Sequence, residues 1–525
     1  MLLAELVQSV NGMSRELNAR VVAGDARVRV CDITEDSRTV LPGSLFLARE
    51  GTRADGREFA KQALASGAVA VVCRAGSLHS LAAEIEVKGD AALVEADDVE
   101  LAGALLAERF YGNPASRLKC IGVTGTNGKT TTTWLTWRLL NAAGVRCGLI
   151  GTVVVDDGNE VAPAEMTTPP AVELSRTMNV MVENGCEALS MEVSSHSLAQ
   201  RRVGAIRFGV GVFTNLTQDH LDYHKTMEAY ASEKAKLFAG LDPGGLAIVN
   251  ADDPASERML RDCRARIVRC TERHASERRG NGWAGVTISS MDRTGMQLDM
   301  HGPFGAFRLW VPLIGAFNAM NILQAVLCVH ELGMKPAQIM EASARLDAPP
   351  GRLERVATRG DEPLVLVDFA HTEDGLRNAL GTVKKVLAPG GRLIAVFGCG
   401  GDKDRTKRPK MGRVAAEIAD LAIVTSDNPR TERPGDIIDQ VLSGVGSADR
   451  SKMIVEADRR KAIAKALLLA RPADIVVIAG KGHETEQIMP DGNGGTVKSH
   501  FDDREVAREA IAERRASGRA SRSAT

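Results

Sequence analysis

Nothing in this chain marks it for an oxidising compartment. Its nine cysteines are scattered singly from Cys31 to Cys399, the count is odd, and no CxxC pair occurs. Several lie in apolar runs (Cys73, Cys120, Cys328), which suits reduced core thiols in a cytoplasmic protein and argues against bridges or zinc ligands. Charge of one sign is lacking too. The formal net charge is -1, so no global field favours nucleic acid or an anionic membrane. No apolar run approaches the length of a membrane span. Met1–Val10 carries Glu5 and no basic n-region, so no secretory signal is expected. Aromatics are scarce, at 4%, which does not suit an aromatic-rich all-β chain.

What is present is length and glycine. With 525 residues, 44% of them hydrophobic, 25% charged and 51 of them glycine, the chain is too long for one core and has the profile of an α/β enzyme. Three textures follow one another. Residues 1–110 alternate short apolar strands (Ala68–Cys73, Ala91–Val94) with helical segments such as Phe59–Ala65, as in a small α/β domain. Residues 111–350 repeat strand–loop–helix units, which predicts a parallel sheet. Residues 351–525 hold four apolar strands, Leu364–Val367, Leu393–Phe397, Leu421–Thr425 and Ile475–Ala479, each ending at a polar loop. Ligands of open parallel sheets bind beyond the carboxyl ends of the strands, so functional residues should share one edge. From about 514 an Arg/Ser/Ala tail reads as a disordered end.

The strongest motif is Gly125-Thr126-Asn127-Gly128-Lys129-Thr130-Thr131. Strand Leu118–Val123 feeds it and a helix follows, the context of a phosphate loop. Backbone N–H groups and the helix start would hold phosphate oxygens. Lys129 would neutralise the β- and γ-phosphates, and Thr130 would offer a hydroxyl to Mg²⁺. Val123 stands where the usual spacing has its first glycine, so the loop is a shorter variant.

Other features read two ways. Glu192 ends the apolar run Ala188–Met191; it suits a Mg²⁺ ligand or a plain strand end followed by a serine cap. The acidic and imidazole groups of Thr214–His224 could hold metal or form a solvated turn, with His224 favouring the structural reading. Lys234 shares a helix face with Tyr230 and Phe238, an unusual place for lysine unless paired or modified, although snorkelling is the default. Asn318 and Asn321 could face adenine or cap a helix. In the last domain Arg408, Asp427, Asn428, Arg430, Gly480 and Glu484 gather guanidinium and carboxylate groups on loops, as a pocket for a small zwitterion would, though surface salt bridging explains any one of them.

Together, Gly125–Thr131, Glu192–His196, Asn215–His220, Lys234, Asn318–Asn321, Gly351–Glu354, Asp368–His371 and Gly480–Glu484 resemble the Mur ligases, cytoplasmic ATP-dependent amide-bond-forming enzymes of peptidoglycan synthesis. The resemblance covers nearly the whole chain. It implies three domains: an N-terminal UDP-binding domain, a central P-loop ATPase-like parallel-sheet domain and a C-terminal Rossmann-like domain. Asp36-Ser37-Arg38 and Gly398–Asp402 resemble the member that adds the third stem-peptide residue. Asp427-Asn428-Pro429-Arg430 matches its meso-diaminopimelate-adding type, since Arg430 could grip the far carboxylate that L-lysine lacks.

The resemblance further implies that Ser37, Thr52, Arg53, Ala54, Thr167, Thr168, Ser194, Gln200 and Arg202 bind the UDP-N-acetylmuramoyl-dipeptide. Asn321, Arg352 and Asp368 would join the phosphate loop around ATP. Lys129, Glu192, His220 and Lys234 would be catalytic, and a carbamylated Lys234 would share Mg²⁺ with Thr130, Glu192 and His220. Arg408, Asp427–Arg430, Gly480 and Glu484 would hold diaminopimelate. A monomer closing about a hinge near Gly351 is expected, with no nucleic acid and no membrane span. The alternatives are an L-lysine-adding relative, a folylpolyglutamate synthetase-like ligase, a P-loop switch or motor ATPase, and a non-catalytic UDP-sugar-binding protein.

Overall fold

The computed structural model describes residues 1–14, 17–51, 55–79, 82–83, 91–356 and 358–523, the side chains of 517–523 excepted. The fold is mixed α/β, with three mainly parallel sheets and one small hairpin. The chain divides into two compact units. The first holds Met1–Gly285, Gly302–Phe304 and Gln324–Lys335; the second holds Val286–His301, Gly305–Leu323 and Pro336–Thr525.

Two sheets make up the first unit. The N-terminal sheet runs in the order Arg20–Gly24, Ala92–Ala96, Ala70–Arg74, Ser44–Leu47, Asp32–Thr34. Only its first pair is antiparallel. Helices Leu3–Met13 and Val99–Phe110 bury Leu3, Leu6, Val10 and Leu106 against Leu45, Val72 and Val94.

The central sheet places Lys119–Thr124 between two parallel neighbours, Ala188–Glu192 and Val210–Phe213. The order continues outward through Leu246–Asn250 to Arg266–Thr271 on one side and through Cys147–Ile150 on the other. In register, Glu192 lies opposite Val123, and Phe213 opposite Thr124. The loops after these three strands therefore emerge side by side. Helix Lys129–Ala142 leaves the middle one, and Thr132, Trp134, Leu135, Trp137, Leu139 and Leu140 are all buried. Thr131, Thr133 and Thr136 are buried as well, so the helix is enclosed over most of its surface, as one inside a layered fold is.

The second unit is built on a six-stranded sheet in the order Glu354–Val356, Leu364–Asp368, Ile475–Ala479, Leu393–Phe397, Leu421–Val424, Met453–Val455. All but its first pair are parallel. Strand residues alternate between two cores. Leu364, Leu366, Ala395, Phe397 and Val477 face one; Val365, Val367, Ile394, Val396 and Ile478 face the other. That is the period of two that a sheet covered on both faces requires.

The second unit takes in residues before 351: Ile314 joins its core, and Arg293 donates to the Pro472 and Glu362 carbonyls there. Among the described residues, 514–523 continue helix Asp503–Ser523. Arg514 donates to the Leu467 carbonyl and Arg515 pairs with Glu362 at 2.6 Å, which ties the end down.

Candidate active site

At the carboxyl edge of the central sheet the phosphate loop is strapped to the 214–217 loop. Thr126 N donates to Asn215 O (2.8 Å) and Asn127 N to Asn215 Oδ1 (2.9 Å). Asn215 Nδ2 and Thr214 Oγ1 both donate to Asn127 O, at 3.0 and 2.6 Å. Sequence reading placed Asn215 in a candidate metal loop; its side chain instead shapes the phosphate loop. Gly125 has φ of +147°, and a Cβ there would stand 1.9 Å from Thr214 Oγ1. Gly128, at φ +85°, turns the chain into the helix. A left-handed turn into a helix start presents successive N–H groups to an anion.

Two lysines converge on this loop. Lys129 Nζ donates to the carbonyls of Gly125 (3.0 Å) and Thr126 (2.8 Å). Lys234 Nζ reaches the same Gly125 carbonyl at 2.8 Å. Lys234 is 1% exposed, so it does not snorkel. Burial holds its amine well below the ordinary lysine range, and Lys129 adds repulsion. Its ammonium also lies over the Tyr230 ring, 4.5 Å from the centroid. Desolvation pushes the Tyr230 phenol up to about 12, and its hydroxyl is 3.3 Å from Thr126 Oγ1.

Glu192, 1% exposed at its strand end, accepts from Thr130 Oγ1 (3.1 Å), Thr152 Oγ1 (3.1 Å) and Thr152 N (2.7 Å). Gly151 makes room for it, since a Cβ there would lie 2.8 Å from Glu192 Oε1. Thr152 was missed in the sequence; the strand-end glycine before it was the available signal. His220 takes a different place. It is exposed, at φ +52°, 3.4 Å from Asp219 and edge-on to His196 with ring centroids 4.9 Å apart. Among the described residues no group of three or more His, Cys, Asp or Glu is arranged to hold a metal. His224 is buried with Nε2 2.9 Å from Ser195 Oγ, in keeping with a structural role.

Five residues expected at the dipeptide end are brought together beside Glu192. Thr168 Oγ1 donates to the Glu192 carbonyl (2.8 Å) and accepts from Ser194 N (3.2 Å). Arg202 donates to the Thr168 carbonyl (2.7 Å) and to Gln200 Oε1 (2.7 Å). Thr167 and Thr152 hydroxyls are 3.1 Å apart. Gln200 and Arg202 also line a cleft of about 660 Å³ together with Arg49, Arg57, Arg74 and Arg201. No sequence pattern joined these arginines, which come from a strand end (Arg74), a loop (Arg49), the turn Gly56–Phe59 (Arg57) and the segment after helix Ser195–Ala199 (Arg201, Arg202); Glu50, Asp97, Asp98 and Glu100 line the same cleft. Ser37 sits on the 3₁₀ turn Ser37–Thr39, capped by Asp36. Thr52, Arg53 and Ala54 lie outside the described residues.

The second unit has its own polar edge. Asp368 accepts from Leu353 N (2.8 Å) and Ala370 N (2.9 Å). Burial pushes its carboxyl upward, against the pull of Arg352. The Arg352 guanidinium lies 5.4 Å from the Phe369 ring centroid. Asn321 donates to Asn318 Oδ1 (3.2 Å), and Asn318 in turn to the Ile314 carbonyl (2.9 Å), which ties the first turn of helix Phe317–Glu331 to the segment before it.

Three arginines of this unit, Arg408, Arg430 and Arg459, are separated by their partners. Arg408, fully buried, is held by Glu432 (2.8 and 2.9 Å) and Gln440 (2.8 Å). Arg459, also fully buried, is held by Asp503 (2.6 and 2.7 Å) and the Ala479 carbonyl (3.0 Å). Arg430 is half-buried and donates only to the carbonyls of Gly401 (2.7 Å) and Asn428 (3.4 Å). Among the described residues it pairs with no carboxylate. The glycines of the 398–401 loop make this possible: a Cβ on Gly401 would lie 1.8 Å from the Pro429 carbonyl, and one on Gly400 would lie 2.9 Å from the Arg430 guanidinium.

Glu484 and Gly480 lie at the same edge. Asn428 Nδ2 donates to Glu484 Oε2 (2.9 Å), and Gly480 gives Asp427 room, a Cβ there falling 2.4 Å from Asp427 Oδ2. Arg459, Asp503 and Lys481 were not found from the sequence. Arg459 and Asp503 sit in runs of charged residues that read as solvated surface, and only burial shows what these side chains do.

Comparison with known proteins agrees with this geometry. Three family descriptions match: the Mur ligase family catalytic domain over residues 30–111, the Mur ligase middle domain over 123–329 and the Mur ligase glutamate ligase domain over 351–482. A protein of Synechococcus sp. (strain WH7803) is 44% identical over 96% of this chain and 99% of its own length. One of Geobacter metallireducens is 41% identical over 95% and 98%. Both are named UDP-N-acetylmuramoyl-L-alanyl-D-glutamate--2,6-diaminopimelate ligase. A solved structure of a ligase with that name superposes with a TM-score of 0.67 at 32% identity, covering 93% of this chain and 95% of the other. A MurF ligase from Thermotoga maritima, solved with ADP, shares the fold at 18% identity and a TM-score of 0.56, over 93% and 96%. The chain belongs to the Mur ligase family and is an ATP-dependent, amide-bond-forming ligase.

Proposed function

We propose that the chain adds meso-diaminopimelate to UDP-N-acetylmuramoyl-L-alanyl-D-glutamate, releasing ADP and phosphate. The observation that carries the choice of amino acid is Arg430, a half-buried guanidinium without a carboxylate partner beside two arginines that have theirs. A ligand with a second carboxylate completes it. L-Lysine would leave it unpaired, which costs affinity. Asp427, Asn428 and Glu484 face the ammonium groups of the same ligand. Arg408 supports the loop through Glu432 rather than by reaching the ligand.

In the first step the D-glutamate carboxylate attacks the γ-phosphorus of ATP, giving an acyl phosphate and ADP. The amine of diaminopimelate then attacks that carbonyl and expels phosphate. Lys129, now on loop carbonyls, would turn to the phosphates and offset the repulsion between two anions. Thr168, Ser194, Gln200 and Arg202 would hold the dipeptide, with the arginine-lined cleft serving its UDP end. Asn321, Arg352 and Asp368 would serve the nucleotide. Residues 1–110, 111–350 and 351–525 are read as the three functional modules.

The adjacent hydroxyl and carboxylate of Thr130 and Glu192 are hard oxygen donors, the type Mg²⁺ takes. They would hold it, joined by His220 and by Lys234 as a carbamate. The ion would supply charge neutralisation at the phosphates. Lys234 suits carbamylation because burial disfavours the charged form of its amine, and the neutral amine is the form that adds to carbon dioxide and loses a proton to become an anionic oxygen ligand. Nine free cysteines fit action in the cytoplasm. Both polar edges lie on one chain, so a monomer suffices.

The deciding experiment is phosphate release with the UDP-muramoyl-dipeptide, comparing meso-diaminopimelate with L-lysine. Turnover is expected with the first alone. Equal or better turnover with lysine sinks the assignment.

A further inference from the structure

Lys481 follows strand Ile475–Ala479 between two glycines in left-handed conformations, Gly480 at φ +121° and Gly482 at φ +57°. Neither glycine has space for a side chain: a Cβ at 480 would meet Asp427 Oδ2 at 2.4 Å, and one at 482 would meet Phe369 Cβ at 2.7 Å. The turn so formed sends the Lys481 side chain inward, where it is fully buried. A lysine ammonium taken out of water is costly unless its hydrogen bonds are replaced. Here they are. Nζ donates to Asn428 Oδ1 (3.3 Å), to Glu484 Oε2 (3.3 Å) and to the Glu486 carbonyl.

These contacts have directional consequences. Asn428 Oδ1 also accepts from Ile488 N (3.0 Å). With two donors on Oδ1, the Asn428 amide can only present Nδ2 to Glu484, which it does at 2.9 Å. Both donors to Glu484 fall on Oε2, while the side chain remains 38% exposed. Oε1 accepts no hydrogen bond from the described residues and is the oxygen left for a ligand. Among the described residues Lys481 is the only cation paired with Glu484. With Lys481 in place, Asp427 and Glu484 together carry one negative charge in excess, the complement of one ligand ammonium. Without it they carry two.

We propose that Lys481 is a positioning residue for amino-acid selection. It fixes the Asn428 amide and aims Glu484 Oε1 at an ammonium of the incoming diamino acid, without touching that ligand itself. The proposal rests on the reading that Asn428 and Glu484 bind diaminopimelate.

The test is steady-state kinetics on the full chain carrying K481M, E484Q or both, with meso-diaminopimelate, ATP and the UDP-muramoyl-dipeptide varied in turn. In K481M the KM for diaminopimelate should rise about 10- to 100-fold, the range for losing a partner that orients a charged ligand group. Its kcat and the other two KM values should stay within about threefold. The double variant should be no worse than E484Q, because Lys481 acts through Glu484. A wild-type diaminopimelate KM in K481M overturns the proposal. So does an equal rise in all three KM values, or losses that multiply in the double variant. If E484Q leaves the diaminopimelate KM unchanged, the pocket assignment itself falls, a failure distinct from that of K481M alone. If K481M does not fold, the double variant is read against E484Q. Failure of both to fold makes Lys481 a core support and refutes the positioning role.

Discussion

Replacing Gly125 by alanine tests how far the phosphate loop depends on its backbone. The new Cβ would stand 1.9 Å from Thr214 Oγ1 and 3.1 Å from Asn215 N and O. Ordinary contact needs roughly 3.4 Å, so something must move by about 1.5 Å. Thr214 is 2% exposed, and its hydroxyl donates to Asn127 O at 2.6 Å. It cannot swing aside without giving up that bond. A non-glycine residue at φ +147° adds backbone strain of about 1–3 kcal/mol. The lost hydrogen bond adds about 1 kcal/mol. If the loop relaxes by leaving its phosphate-binding shape, the sum of about 2–4 kcal/mol lowers kcat/KM for ATP roughly 30- to 1,000-fold. The assay is ATP-dependent phosphate release with dipeptide and diaminopimelate saturating. Gly381→Ala is the control: it lies within helix Glu373–Lys384 with no atom within 4 Å of its Cβ. That variant should keep full activity and gain up to about 1 kcal/mol of stability. A Gly125→Ala enzyme within about threefold of wild type in kcat/KM for ATP would falsify the strap between the two loops.

Three further outcomes follow from buried charge. Lys234→Met should abolish turnover, and intact mass should show a one-carbon-dioxide increment on active wild type that the variant lacks; an active wild type carrying an unmodified amine removes the carbamate from the mechanism. The folded pKa of Lys234 is depressed, so the unmodified fold binds fewer protons than the unfolded chain, and stability should rise with pH toward the ordinary lysine value of 10.5. In carbon-dioxide-free buffer the stability advantage of Lys234→Met over wild type should therefore shrink between about pH 7 and about pH 10; a constant or growing advantage contradicts the depressed amine. Asp503→Asn, which strands the fully buried Arg459, should lower unfolding free energy by about 3–5 kcal/mol in denaturant melts, and a loss under about 1 kcal/mol refutes the clamp. Arg430→Ala should weaken diaminopimelate binding by about tenfold or more and narrow the preference over L-lysine; unchanged discrimination removes Arg430 from its role.

Local chemistry was legible where it repeats or is rare. Glycine spacing with Lys129-Thr130 announced a phosphate loop, because few sequences turn a strand into a helix that way. Continuous apolar runs, each ending at a polar loop, announced the four parallel strands of the last domain, and their ends fell within a residue or two of the observed ones. Lys234 stood out because lysine rarely shares a helix face with Tyr230 and Phe238. The low-complexity composition from Arg514 carries no sign of the bonds that Arg514 and Arg515 make to Leu467 and Glu362.

The sequence by itself determined which chemistry is available: phosphate-holding amides, paired lysines, strand-end carboxylates, and a loop bearing Asp427, Asn428 and Arg430. Tertiary structure decided which of these groups are spoken for. Parallel registration places Glu192 and Thr214 on either side of the phosphate loop, a relation between strands far apart in the chain. Arg408 and Arg430 carry the same guanidinium, yet one is held by Glu432 while the other, among the described residues, meets only carbonyls. Charge type is written residue by residue, whereas desolvation and pairing belong to the folded neighbourhood, and they separate a structural ion from a binding one.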